Sequence, residues 1–285
     1  MTTLSRRKLL TGIGAGAGVV VAGGAGAWVL LGDAHRQRLL NEAGLDPGPD
    51  GHVAPSGVTI TSGQLMSTYM HRSVGWSLST PTRPAQAVIY CLHGFGGDHT
   101  FAFDQIHLPD VVESVDAPLA VASVDGGPDS YWHLRADGTD AMAMLLDEFI
   151  PFVQRRTNTS RAALLGWSMG GYGALLAAER VPERVFAVAA ASPALWTSPG
   201  QTAPGAFDSA ADFYRFDVFR GEQQLDGLTV RVDCGTSDPF YQAVRRFVAG
   251  LPPGHQGSFG PGFHEAGYWR SVAPAQVTTI ARALP

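Results

Sequence analysis

From residue 58 onward the chain alternates short, uninterrupted apolar runs with stretches of helical period. The runs cover residues 87–92, 119–123, 162–166, 185–190 and 228–232. Runs this short, without polar alternation, predict strands covered on both faces. Between them, residues 139–155 set Ala141, Met144, Leu145, Phe149 and Phe152 on one face, which predicts an amphipathic helix. Buried strands separated by helices predict an α/β domain over residues 58–285, a mostly parallel sheet with helices on both faces. Residues 58–78 alternate more and predict a leading antiparallel hairpin. Residues 193–226, broken by Pro and Gly and rich in Phe, predict a small cap.

The pattern before residue 58 differs in kind. Arg6, Arg7 and Lys8 form a basic head, and the next 24 residues, 9–32, carry no charge. Such a head before a Gly- and Ala-rich run resembles a twin-arginine export signal, with Ala25-Gly26-Ala27 as a small-residue cleavage site. The same run, about 36 Å long as a helix, could instead cross a bilayer of roughly 30 Å and anchor the protein facing outward. A buried soluble helix is disfavoured by its glycines. Residues 1–32 are therefore expected to be a signal or membrane anchor, and 33–57, rich in Asp, Gly, Pro and His, a spacer. The expected location is extracytoplasmic, secreted or anchored.

Composition excludes several classes. With 45% hydrophobic residues, the 285-residue chain can build a core and is not disordered. Its formal charge is −5, and removing residues 1–32 takes away three cations and no anion, leaving 17 against 25, or −8. An acidic body does not favour nucleic acid. Two cysteines, Cys91 and Cys234, are too few for a disulfide scaffold or a cysteine-built zinc site, and no HExxH-like spacing appears. No metal or cofactor is expected.

The chemistry centres on Gly166-Trp167-Ser168-Met169-Gly170-Gly171, which directly follows an apolar run and opens the helical stretch 172–180. A G-x-S-x-G between strand and helix exposes a serine hydroxyl on a strained turn beside a helix N-terminus, which favours negative charge. That hydroxyl needs a base, and the base a carboxylate to orient it, both following the serine in chain order. Only His255 and His264 follow. His264, in the glycine-rich Gly262–Tyr268 loop before the last helical stretch, is favoured over His255, which sits in a Pro-Pro-Gly-His turn. Asp238, in Gly-Thr-Ser-Asp-Pro-Phe just past a strand end, is the expected acid, although Asp-Pro also starts helices. Asp233 competes but belongs to the strand. The expected oxyanion donors are the backbone N–H groups of Met169 and Phe95, the latter in His93-Gly94-Phe95-Gly96-Gly97. His93 is expected to hold that loop. Tyr131, Trp132, Trp167 and Trp269 lie near motif ends and are candidate pocket residues, against packing as the alternative.

Four ordered motifs, Leu92–Gly97, Gly166–Gly171, the segment around Asp238 and that from His264 to Trp269, together resemble the putative-esterase family. That family groups esterase D, formylglutathione hydrolases, feruloyl-esterase domains and the mycobacterial antigen 85 mycolyltransferases. The resemblance covers roughly residues 58–285 and implies the α/β-hydrolase fold, with acyl-ester chemistry on Ser168, Asp238 and His264 and oxyanion donors at Phe95 and Met169. The mycolyltransferase branch usually has alanine after Ser-Met and glutamate as acid. Gly170 and Asp238 stand there instead, which weakens a mycolyl-transfer reading.

The expectation is an exported serine hydrolase acting on small-molecule, lipid or sugar esters through an acyl-enzyme. An acyltransferase delivering the same acyl group to a sugar or lipid hydroxyl would use the same residues. A non-catalytic envelope binding protein is argued against by the intact triad, and cytoplasmic formylglutathione hydrolysis conflicts with the signal. Cys91 and Cys234 are expected to remain free thiols. In the implied strand order two strands separate them, about 14 Å in all, where a disulfide tolerates about 7 Å.

Overall fold

A computed structural model describes residues 57–284. The expected signal or anchor, 1–32, and all of the expected spacer but residue 57 lie outside the described residues. The alternating stretch forms an antiparallel hairpin, β1 (Val58–Ser67) with β2 (Arg72–Pro81). The continuous apolar runs become β3 (Ala87–Leu92), β4 (Leu119–Val124), β5 (Ala162–Trp167) and β6 (Ala187–Ala191), buried at every position. β7 (Thr229–Gly235) and β8 (Gln256–Gly260) complete one eight-stranded sheet of order β1-β2-β4-β3-β5-β6-β7-β8. β2 joins β4 antiparallel, and every pairing from β4 to β8 is parallel.

Two strand boundaries differ from the apolar runs by two residues or more. β6 starts two residues late because a 3₁₀ turn, Pro182–Arg184, carries the chain into Val185. β7 runs on to Gly235 because Asp233 and Cys234 are buried and paired, Asp233 opposite Ala191 and Cys234 opposite Phe259.

Helices cover both faces. Two short ones join β3 to β4, α1 (Phe101–Asp104) and α2 (Leu108–Ser114). The single helix expected over 139–155 is instead α3 (Ala141–Ala143), a π-helical turn (Met144–Phe149) and α4 (Ile150–Thr157). Proline explains the break. Pro151 has no N–H for the carbonyl of Asp147, and the ladder slips to the i→i−5 bond from Ile150 N–H to Leu145 O. α5 (Met169–Arg180) follows β5, α6 (Ala210–Arg215) and three 3₁₀ turns occupy the cap region, α7 (Tyr241–Gly250) follows β7, and α8 (Ala266–Arg282) ends the fold. α2 and α8 pack on one face, over Ile89, Cys91, Leu165, Trp167 and Ala189. No helix among the described residues is long and apolar enough to cross a membrane.

The register settles the cysteines. Cys91 pairs with Leu165, Leu165 with Ala189 and Ala189 with Arg231, so these four side chains share a face. Cys234 is three residues past Arg231 and points to the other face. Both cysteines are buried and unbridged.

Candidate active site

The carboxyl ends of β3, β5, β6 and β7 point to one edge of the sheet, where such folds assemble sites. Ser168 sits between β5 and α5 with φ 54° and ψ −119°, a left-handed backbone that costs an L-residue roughly 1–3 kcal/mol. Backbone bonds fix it there: its N–H donates to Ala191 O (3.1 Å), and its carbonyl accepts from Tyr172 N–H and Ala194 N–H (3.0 Å each). The flanking glycines are steric necessities. A Cβ on Gly166 would lie 2.1 Å from Gly170 O, and one on Gly170 would lie 1.9 Å from Leu92 O.

The loop between β8 and α8 brings His264 over this turn. Its Nε2 is 2.8 Å from Ser168 Oγ and its Nδ1 is 2.8 Å from Asp238 Oδ2. The second carboxylate oxygen of Asp238 accepts the Phe240 N–H at 2.8 Å, so one side chain both organises the turn into α7 and orients the imidazole. The Asp238 side chain is wholly buried. Its sequence competitor is engaged elsewhere. Asp233 takes two hydrogen bonds from Arg231 (2.7 and 3.0 Å) and one from Gln276 (2.9 Å) on the α8 face, and burial raises its pKa. His255 lines a cavity of about 740 Å³ at the amino ends of β7 and β8, bordered by none of Ser168, Asp238 and His264.

The glycine loop after β3 lies against the serine: a Cβ on Gly94 would be 3.4 Å from Ser168 Cβ. Among the described residues, neither the Phe95 nor the Met169 N–H is given to a protein acceptor. Their neighbours are tied down. Gly96 N–H donates to Pro128 O (2.7 Å) and Gly97 N–H to Gly94 O (3.1 Å). His93 is buried within this loop, and burial lowers its pKa. Its Nε2 accepts the Gly126 N–H at 3.0 Å, which leaves the proton on Nδ1, 2.9 Å from Gly94 O.

Aromatic side chains run in series from this loop to the imidazole. Ring centroids are 6.5 Å apart for Phe95–Tyr131, 5.6 Å for Tyr131–Trp196, 5.4 Å for Trp196–Phe240 and 5.2 Å for Phe240–His264. Phe207 stacks on Tyr131 at 6.4 Å. Its segment is fastened by Arg135, which donates to Gly205 O and Asp208 Oδ1 (2.8 Å each). All four pocket candidates are buried, Tyr131 and Trp269 at 2% exposure and Trp132 and Trp167 at none, so all four pack around the site. Tyr131 is a member of the aromatic series that starts at Phe95. Trp269 backs His264 edge-on (5.1 Å), and Phe101 fills the gap between Trp167 and Trp269. Sequence reasoning missed Trp196 and Phe207. Trp196 lies just beyond the carboxyl end of β6, a usable signal; Phe207 reaches the site through the fold of the cap, which no local pattern announces.

One further cluster offers metal-ligand atoms, from Asp98, His99 and Asp125. Its oxygens already serve the protein: Asp125 Oδ1 accepts the His99 N–H (2.7 Å) and lies 2.9 Å from His99 Nδ1, while Oδ2 accepts the Gly75 N–H (3.0 Å).

A parallel sheet carrying a serine elbow, then an aspartate and a histidine in that chain order, defines an α/β-hydrolase. The chain belongs to the family described as Putative esterase, which it matches over residues 67–277, and is a carboxylic-ester hydrolase. Solved structures of the same fold include a ferulic acid esterase (20% identity, TM-score 0.68, covering 80% of this chain and 99% of that one). An S-formylglutathione hydrolase from Agrobacterium tumefaciens is similar at 15% identity and TM-score 0.69, covering 80% and 96%. MPT51 (FbpC1) of Mycobacterium tuberculosis is similar at 18% identity and TM-score 0.65, covering 79% and 99%. No curated protein matches the chain.

Proposed function

We propose that this chain is an exported serine esterase that works through an acyl-enzyme on Ser168. The observation that carries the reading is His264 bridging Ser168 Oγ and Asp238 Oδ2 at 2.8 Å on each side. Ser168 Oγ attacks the ester carbonyl while its proton passes to His264 Nε2. Asp238 holds the imidazole in the tautomer that can accept it and stabilises the imidazolium that forms. The Phe95 and Met169 N–H groups receive the oxyanion. Collapse breaks the bond to the alcohol oxygen, which leaves with the proton from His264. Water then attacks the acyl-enzyme by the same route and releases the acid. A fluorophosphonate labels Ser168 in the folded protein and not Ser168→Ala; an unlabelled folded wild type refutes the mechanism.

The apolar wall formed by Trp196 and Phe240 beside His264 favours a carbon-rich alcohol as well as water in the second step. Product analysis with added sugar or lipid alcohols separates transfer from hydrolysis. Export rests on Arg6, Arg7 and the uncharged run after them. Replacing both arginines with lysine strands the protein in the cytoplasm if the pair is the address. Unchanged export refutes it.

A further inference from the structure

We infer that Trp132 is a positioning residue for the oxyanion hole, holding the Phe95 loop through its indole N–H. This rests on the serine-esterase reading of the site. Trp132 is fully buried, so it acts through the loop it holds. Its Nε1–H donates to the carbonyl of His93 at 3.2 Å, two residues before the Phe95 N–H, and its ring lies 5.2 Å from the His93 imidazole. The His93 ring is held from the same loop by Gly126 N–H, and Gly96 N–H by Pro128 O, so residues 126–132 grip the oxyanion loop on both sides of Phe95. The residue before Trp132 reaches the other donor, since Tyr131 N–H lies 3.3 Å from Met169 Sδ.

The backbone shows that this placement is enforced. Tyr131 (φ 49°) and Trp132 (φ 55°) are consecutive left-handed residues, a conformation that bulky side chains adopt only where their surroundings impose it. Two glycines make room for the indole: a Cβ on Gly173 would lie 2.5 Å from Trp132 Cβ, and one on Gly126 would lie 2.6 Å from its ring. Ser130 Oγ accepts the Trp132 N–H at 3.1 Å and closes the turn. Oxyanion stabilisation is sensitive to donor placement on the scale of about 0.5 Å. A freed His93 carbonyl lets its peptide rotate and carries the Phe95 N–H off line.

The test is Trp132→Phe in the full chain, which keeps an aromatic ring and removes the N–H. With p-nitrophenyl butyrate, kcat falls roughly 10- to 100-fold while KM stays within about twofold, and the Ki of a trifluoromethyl ketone inhibitor rises in proportion, as for a weakened oxyanion donor. Ser130→Ala, a milder loosening of the same turn, gives the same split at smaller amplitude. A folded Trp132→Phe with wild-type kcat, or with its loss confined to KM, overturns the inference. If that variant does not fold, unchanged kcat and Ki in Ser130→Ala overturn it. Wild-type turnover and Ser168 labelling are read in the same assay: their absence refutes the esterase reading, whereas their presence with silent variants refutes only the role of Trp132.

Discussion

Ser168 Oγ and His264 Nε2 stand 2.8 Å apart across 96 residues of chain, each delivered by a turn or loop held by its own hydrogen bonds and packing. The serine is fixed by a left-handed turn whose N–H and carbonyl are both bonded. The histidine is wedged between Phe240 (5.2 Å) and Trp269 (5.1 Å) and tied to Asp238. The site is therefore pre-organised by the sheet edge.

The two aspartates of β7 and its following loop should separate cleanly on mutation. Asp238→Asn removes the carboxylate that orients His264 and lowers kcat about 10⁴-fold with little loss of stability. Asp233→Asn leaves kcat intact but strands Arg231, whose side chain is 14% exposed, at about 3 kcal/mol of stability. Steady-state kinetics and urea unfolding on both variants check the pair.

Gly170→Ala tests whether the elbow tolerates any side chain. Its Cβ would lie 1.9 Å from a backbone oxygen of β3, which cannot swing aside as a side chain would. The expected loss is about 3 kcal/mol or more, read as a lowered urea midpoint together with lost activity.

Stability should depend on pH through Glu179, on α5. Burial, with the like charges of Asp217 and Glu222 behind it, pushes its carboxyl up to about 9, and among the described residues Oε1 has no hydrogen-bond partner. The folded protein holds a proton that the unfolded chain releases near about 4.3. Stability present below that value is then lost as pH rises toward about 9, at no more than about 1.4 kcal/mol per pH unit. Glu179→Gln removes this dependence. The urea midpoint at pH 8 relative to that at pH 5 should therefore be higher in the variant than in the wild type, the difference between the two proteins isolating Glu179 from the other titrating groups.

Cys91 and Cys234 should both alkylate after denaturation without reductant and resist a thiol reagent in the native state. They lie on opposite faces of the sheet, and burial pushes both thiols well up, away from the reactive thiolate. Mass spectrometry counts the alkylated sites; a bridged pair would contradict the strand register.

Much of the fold was legible because it rests on local signals. Continuous apolar runs fixed the parallel strands, and the glycines of the elbow marked where β5 meets α5. His264 and Asp238 could be chosen because chain order and strand ends left few rivals. What escaped depends on tertiary geometry. Trp132 and Tyr131 are adjacent and aromatic, yet their left-handed backbones set one ring against His93 and the other against Phe95. α1 and α2 are too short to show a period, and the π turn follows from one proline in an otherwise regular pattern.

The strained backbone at Ser168 sets durability against turnover. Glycine relaxes at that conformation and alanine does not, so Ser168→Gly should melt above Ser168→Ala, by about 1 kcal/mol, although both are inert. Heat alone would thus select glycine at this codon. Only a continuing demand for catalysis keeps a serine there, and a copy freed from that demand becomes a sturdier protein by losing its nucleophile.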